Sequence, residues 1–497
     1  MAVVIAIDAG TTGVRAFAVD EEGRPAGWSY REFPQYFPTP GWVEHDPGEI
    51  WDATRTVLAE LVGTLTQPVA AVGITNQRET VVAWSRRTGE PLARAIVWQD
   101  RRTAARCEAL AAAGHLDLVR QRTGLVLDPY FSGTKMAWLL DEGGVRADAD
   151  LALGTVDSWI LWNLTGGTAS AGAVFATEAS NASRTMLYDL GARRWSDELA
   201  ELVGVPLTAL AELRPSSGEF GRCAPGASAL AAGTPVAGIA GDQQAALFGQ
   251  ACFEPGMTKN TYGTGSFVLM NVGATCPPPA PGLLSTVGWE LADGSVSYAL
   301  EGSIFVTGAA IQWLRDGLAI IDEAADVGPL AASVPDTGDV YVVPAFTGLG
   351  SPHWDPYARG TIVGITRGTT GAHLARAVVE SLAYQTRDVL DAMTAAAGSG
   401  LAELRVDGGA SAMDLLLQIQ ADQLGVVVTR PTLTETTAAG AAYLAGLGAG
   451  VWADTAELAG RWRAERRFQP APDRRSADAR HRRWTAAVER SRGWAER

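Results

Sequence analysis

The feature that most constrains this chain is a Gly/Thr loop set between two strands, and it occurs twice. Val3 to Ile7 is a continuous apolar run, the pattern of a strand covered on both faces. It ends in Asp8-Ala9-Gly10-Thr11-Thr12-Gly13, after which Val14, Ala16 and Ala18 alternate with Arg15 and Phe17 and predict a second strand. Asp20 to Gly23 reads as a turn, and Ala26 to Arg31 as a third strand. In a Rossmann or P-loop unit the glycine loop opens a helix, whereas here it joins two strands of a hairpin. The plan recurs with Thr258–Tyr262 as strand, Gly263-Thr264-Gly265 as tight loop and Ser266–Asn271 as returning strand. Two such units imply an internal duplication. A chain of 497 residues also exceeds what one core supports, so two domains are expected, 1–248 and 249–497.

Composition then excludes several functions. A net charge of −15 argues against nucleic acid as the main partner, because phosphate backbones need a positive surface. Four cysteines (Cys107, Cys223, Cys252, Cys276) lie far apart, so neither a disulfide framework nor a zinc site is expected. No apolar run reaches membrane-spanning length and the N-terminus carries no basic leader, so stable membrane insertion is not expected and a cytoplasmic location is. Lysine occurs only at Lys135 and Lys259, every other basic residue being arginine, a pattern read as codon bias. There is accordingly no G-x-x-x-x-G-K-[ST] loop.

Helical spacing is clearest after a cap at Thr370, where Leu374, Val378, Leu382, Val389 and Met393 form one stripe. Leu404 to Val406 reads as a short strand feeding Asp407-Gly408-Gly409-Ala410 and then a helix from Leu415 to Leu424. Backbone N–H groups free in such a loop suit a phosphate or nucleotide. Gly446-Leu447-Gly448-Ala449-Gly450 follows a helix and reads as helix termination and close packing. From Arg461 onward the arginine-rich stretch reads as a solvated helix face.

Several segments, in order, resemble the glycerol kinases of the FGGY carbohydrate-kinase family. They include Gly41-Trp42-Val43-Glu44-His45-Asp46-Pro47, Gly73-Ile74-Thr75-Asn76-Gln77-Arg78-Glu79-Thr80 and Asn181-Ala182-Ser183-Arg184-Thr185-Met186. Gly241-Asp242-Gln243-Gln244-Ala245-Ala246, Asn260-Thr261-Tyr262-Gly263-Thr264-Gly265 and Pro344-Ala345-Phe346-Thr347-Gly348-Leu349 add to the likeness, which runs from Ile5 to about Trp452. The resemblance implies an α/β fold of two ribonuclease-H-like domains of the actin/Hsp70/hexokinase type, with an ATP cleft between them. It places the polyol site and a phosphate loop in the first domain and most of the nucleotide site in the second.

By the same resemblance, the expected activity is Mg²⁺-dependent transfer from ATP to glycerol, in a dimer or tetramer. Asp242 is the expected catalytic base, and a carboxylate near its reference pKa of about 3.9 beside Arg78 is expected to be ionised at neutral pH. Arg78, Glu79, Tyr130, Asp242 and Gln243 are expected to bind the polyol, with Trp98 and Phe267 as its apolar wall. Paired polar groups around a small triol penalise any substrate that lacks a hydroxyl. Thr11, Thr12, Gly13, Arg15 and Thr264 are expected at the phosphates, Gly308, Gln312, Gly409 and Met413 at the rest of the nucleotide, and Asp8 at the metal.

The chain departs from the family pattern at Ala9 and Gly13, where many members have Gln and Ser, at Glu178 for Asp, and at Met413 for Asn. A thioether cannot donate to an adenine nitrogen, so Met413 bears on nucleotide selectivity. The loop before Gly233-Thr234-Pro235 lacks the arginine that some bacterial members use for fructose 1,6-bisphosphate. No histidine stands near Phe220 to Pro225, so neither that control nor phosphorylation there is expected. Two other readings stand beside glycerol: an FGGY kinase for another polyol or sugar, and a non-catalytic ATP-switched binding protein on the same fold.

Overall fold

A computed structural model describes residues 2–495. The elements that position the cleft are numbered in chain order. The first sheet is built from β1 (Val3–Ala9), β2 (Gly13–Asp20), β3 (Pro25–Glu32), β4 (Val69–Asn76), β5 (Ser217–Arg222) and β6 (Pro235–Gly241), ordered β5-β6-β4-β1-β2-β3. The second holds β7 (Met257–Tyr262), β8 (Ser266–Gly273), β9 (Leu284–Glu290), β10 (Val296–Ile304), β11 (Glu403–Asp407), β12 (Val428–Pro431) and β13 (Ala464–Phe468), ordered β9-β10-β8-β7-β11-β12-β13.

Both sheets follow one plan. Three antiparallel strands (β3-β2-β1 or β10-β8-β7) are followed by two parallel neighbours (β4 and β6, or β11 and β12) and an antiparallel edge strand (β5 or β13). Each Gly/Thr loop is closed by a backbone hydrogen bond between glycines, Gly10 N–H donating to Gly13 C=O at 3.0 Å and Gly263 N–H to Gly265 C=O at 2.8 Å. The duplication read from the hairpins is therefore present in the strand order itself.

The principal helices are α1 (Pro47–Val62), α2 (Asp242–Gly249), α3 (Gly308–Asp316), α4 (Gly371–Ala397), α5 (Asp414–Leu424), α6 (Thr436–Gly448) and α7 (Arg475–Ser491). The cap at Thr370 forms as expected: its side chain accepts from the first turn, and His373 reaches back to the Thr370 backbone. The arginine-rich tail differs from its reading as helix alone. Ala464–Phe468 first pairs antiparallel with β12 as an edge strand, and only then does α7 begin. Alternating side chains over five residues allow a strand, and the open edge of β12 supplies the missing ladder partners.

One core lies beneath each sheet, and a third is shared. Val4, Phe17 and Ala240 of the first half meet Leu269, Ala441 and Leu444 of the second. Helix α6 lies on the first sheet because glycines leave it room. A Cβ on Gly73 would stand 2.2 Å from Ala441 C=O, and one on Gly238 would stand 2.3 Å from Ala445 N. Tyr443 Oη and Trp452 Nε1 donate to the carbonyls of Gly23 and Glu21. Among the described residues no helix is long and apolar enough to cross a membrane.

Candidate active site

Arg78 stands at the centre of the cleft floor. It follows β4, whose all-buried C-terminal half carries the chain into the interior before a short strand, Val81–Ser85. Its guanidinium is 2% exposed and grips Glu301 of β10 from both terminal nitrogens, at 2.6 and 3.0 Å. It also donates to Tyr130 Oη at 3.0 Å, and its Nε lies 3.3 Å from Asp242 Oδ1 and 3.5 Å from Glu79 Oε1. Arg184, wholly buried, joins Glu79 at 2.8 Å to Glu301 at 3.1 Å. Two arginines and two glutamates thus balance one another across the junction of the two halves. Burial alone raises the Glu301 carboxyl, but Arg184 and Arg78 outweigh it and bring the pKa down to about 2.

Asp242 opens α2 directly after β6, so the strand end delivers its carboxylate to the cleft, where it keeps 30% of its surface. Its titration differs from the expectation. Burial, the largest influence, and Glu79 lift it above the ordinary aspartate value, with Arg78 and Lys259 pulling the other way. Desolvation exceeds a single ion pair because Arg78 divides its charge among three carboxylates. Gln243, the next residue, accepts a hydrogen bond from Lys259 Nζ through its Oε1. Trp98 stands edge-on to Tyr130 with centroids 5.6 Å apart, and its Nε1 donates to Thr11 Oγ1 at 2.9 Å. Phe267 faces the Arg78 guanidinium at 5.9 Å. The structure thus brings Arg78, Glu79, Tyr130, Trp98, Asp242, Gln243 and Phe267 to one place.

Asp8 stands one residue before the end of β1, directly opposite Arg15 in the hairpin register. Burial and then the Asp242 carboxylate push it up to about 7, against the pull of Arg15. A neighbouring cavity of about 690 Å³ is lined by Asp8 on one side and by Thr261, Asp407, Gly408, Gly409, Ser411, Arg430, Pro431, Thr432 and residues 434–437 on the other. Of the residues expected at the nucleotide and metal, Asp8 and Gly409 line it. Thr11, Thr12, Gly13, Arg15, Thr264, Gly308, Gln312 and Met413 are not part of that lining.

Each of these has a definite place. Thr12 is exposed and within 3.3 Å of Tyr30 Oη. Arg15 ion-pairs with Glu435 of the second half and lies over Trp28 and Tyr30. Gly308 packs on the second Gly/Thr loop, its N–H donating to Gly263 C=O at 3.0 Å, while Thr264 accepts from Thr307 and Ala309. Gln312 is exposed on α3. Met413 packs half-buried on the second core beside Gly328.

Sequence reasoning missed Glu301, Lys259, Glu435 and Arg430 as parts of the cleft, and named Arg184 only within a matched segment. It also left Glu178 without an account. This side chain is wholly buried and caps the 179–182 turn, taking Ser180 and Asn181 backbone N–H groups and the Ser180 and Ser216 hydroxyls. The longer carboxylate therefore satisfies five donors, Asn181 Nδ2 included.

Two duplicated α/β halves with paired Gly/Thr hairpins facing one cleft define the class as a two-lobed sugar- or polyol-kinase architecture. Comparison with known proteins narrows it. The model for the FGGY family of carbohydrate kinases, N-terminal domain, matches residues 3–249, and that for the C-terminal domain matches residues 258–449. The chain belongs to this family. It is 56% identical to a glycerol kinase of Aromatoleum aromaticum over 99% of both chains. It is 55% identical to one of Bordetella parapertussis, covering 99% of this chain and 97% of that protein. Among solved structures, a Plasmodium falciparum glycerol kinase with ADP superposes with a TM-score of 0.93 at 31% identity, over 99% of this chain and 98% of that one.

Proposed function

We propose that this chain transfers the γ-phosphoryl group of ATP to a terminal hydroxyl of glycerol, giving sn-glycerol 3-phosphate. The observation that carries the reading is the placement of Asp242, partly open to the cleft, 3.3 Å from Arg78 Nε and beside a lining rich in paired polar groups. Full-length relatives above half identity that bear the name glycerol kinase support the same substrate.

Phosphoryl transfer asks the protein chiefly for position and charge neutralisation. Asp242 orients the attacking hydroxyl and accepts its proton. A carboxylate lifted above its ordinary value is a stronger base than a free aspartate. Glu79 and Gln243 take further hydroxyls, and Trp98 and Phe267 cover the carbon backbone. The adjoining cavity, whose lining includes Asp8, Gly409 and Ser411, would hold ATP.

No group of three or more metal-ligating side chains occurs among the described residues, so the donor set fits an ion that keeps waters and phosphate oxygens as most of its ligands. Asp8, a carboxylate held up by burial and by Asp242, fits Mg²⁺ of this kind. Bound there, Mg²⁺ supplies charge neutralisation for the phosphates. We place the enzyme in the cytoplasm as a dimer or tetramer, which light scattering reads directly.

The test is ADP release with ATP, Mg²⁺ and glycerol beside a panel of sugars and polyols. Wild type is expected to turn over glycerol best, and Asp242→Asn to lose about 10²–10⁴-fold in kcat. Turnover of another polyol but not glycerol overturns the substrate. ATP binding without turnover of any of them leaves the non-catalytic reading.

A further inference from the structure

In a chain that uses arginine at every other basic position, lysine survives only at residues 135 and 259, and both are wholly buried. Codon bias explains the arginines and leaves these two exceptions open. Their surroundings explain them. An ammonium is a compact tetrahedral donor, whereas a guanidinium is a broad planar fork that does not fit a small closed cage of acceptors. Lys135 Nζ donates to three successive carbonyls, those of Pro129, Tyr130 and Phe131, at 2.9, 2.6 and 2.9 Å. Lys259 Nζ donates to Gln243 Oε1 and, at 3.0 Å, to Thr261 Oγ1.

Lys259 has the greater consequence. It lies on β7, the strand that leads into the second Gly/Thr loop, and its partners belong to two different sites. Gln243 follows the catalytic Asp242, whereas Thr261 lines the nucleotide cavity. The hydrogen bond to Gln243 also settles the direction of that amide. An ammonium has no acceptor, so the atom it meets must be the carbonyl oxygen. The NH₂ end is then the only free end, able to donate and unable to accept.

We infer that Lys259 is a specificity-determining positioning residue: by engaging Gln243 Oε1 it turns the Gln243 amide into a fixed donor that reads one hydroxyl oxygen of the polyol. This rests on the proposed glycerol kinase reading. A hydroxyl that accepts from Gln243 keeps its own proton for a carboxylate neighbour, Glu79 or Asp242, so one oriented amide fixes the sense of both bonds. Without Lys259 the amide is free to flip, and the site loses its preference for a hydroxyl over a hydrogen atom at that carbon. The charge state agrees with the role. Burial brings Lys259 down to about 8, with Asp407, Asp242 and Glu301 holding it up and Arg78 opposing them, so it remains mostly protonated at neutral pH.

The experiment measures KM for glycerol and for ATP, and kcat/KM for glycerol against propane-1,2-diol and propane-1,3-diol, in wild type, Lys259→Met, Gln243→Ala and the double variant. ADP affinity and thermal midpoint confirm folding. Should the methionine variant not fold, Lys259→Leu, which likewise has no donor, takes its place. Lys259→Met is expected to raise the glycerol KM about 2- to 10-fold, as for loss of one neutral hydrogen bond to the substrate. The ATP KM is expected to stay within about twofold, and the glycerol-over-diol preference to fall for one diol. Adding Lys259→Met to Gln243→Ala is expected to change that preference little, because the lysine acts through the glutamine. A folded variant with unchanged glycerol KM and diol preference overturns the inference, as do fully additive effects in the double variant. If wild type itself fails to phosphorylate glycerol, the reading of the activity falls first.

Discussion

Glu301 is the residue on which the cleft floor turns. It comes from the second sheet, yet its two oxygens are held by Arg78 and Arg184 of the first half with no solvent exposure. Removing one partner from such a network strands buried charge, so Glu301→Ala is expected to cost about 3–5 kcal/mol and much of the glycerol affinity. The pH dependence follows from its lowered value. A folded pKa of about 2 against an ordinary glutamate value of 4.5 means the unfolded chain binds the proton first as acid is added. The stabilisation is complete above pH 4.5 and is lost as pH falls from there toward 2. Melting curves of wild type and Glu301→Gln at several pH values check this: their separation should narrow below pH 4.5, and a constant gap refutes the assignment. Gly13 makes a second case. A Cβ there would stand 2.5 Å from Arg31 C=O and 2.8 Å from the Tyr30 ring. Restoring the family's serine by Gly13→Ser is therefore expected to lower stability by about 1–3 kcal/mol without improving the ATP KM. An improved KM with an unchanged thermal midpoint counts against it.

At the level of elements, the packing of α6 on α2 joins the two sites. A Cβ on Gly440 would stand 1.8 Å from Ala245 C=O, and one on Gly249 would stand 2.0 Å from Thr436 C=O. Backbone meets backbone here, so a side chain on either helix must push the pair apart. Helix α2 begins with Asp242, and Thr436 at the start of α6 donates to Asp407 at 2.6 Å. Gly440→Ala is thus expected to lower both the thermal midpoint and kcat, with the ATP KM rising; an unaltered kcat refutes the coupling. Much of this architecture was legible in local patterns. The apolar run before Asp8, the alternation after Gly13 and their repeat at 258–271 define both hairpins, because a strand's face is written in adjacent residues. Glu301, Lys259 and Glu435 were not legible as cleft residues. Each meets its partner across the join of two sheets, and no spacing along one strand or helix encodes a contact between residues such as Arg78 and Glu301. Ala464–Phe468 was missed for the related reason that an edge strand is specified by the neighbour it completes.

Across the whole molecule, the two lobes are joined unequally. At the floor they share a buried charge network and the α6 packing; in the first hairpin, Arg15 reaches over to Glu435 beside the cavity proposed for the nucleotide. The Arg15 and Glu435 side chains keep 27% and 45% of their surfaces. A pair this exposed stabilises a fold by at most about 1 kcal/mol, so its effect on global stability is small. Its effect on ligand is larger in proportion. If Arg15 meets the transferring phosphate, Glu435 is its partner until the nucleotide arrives, and the two anions compete for one guanidinium. Glu435→Gln removes the competitor's charge while keeping its shape. The expected outcome is an unchanged thermal midpoint and an ATP KM lowered by up to about fivefold, the equivalent of 1 kcal/mol, with the glycerol KM unaffected. Arg15→Met in the same background should abolish the gain, since the competition then has no object. A raised ATP KM in Glu435→Gln instead assigns the carboxylate to the bound nucleotide or its metal ion, and Arg15 then serves to hold Glu435 in place.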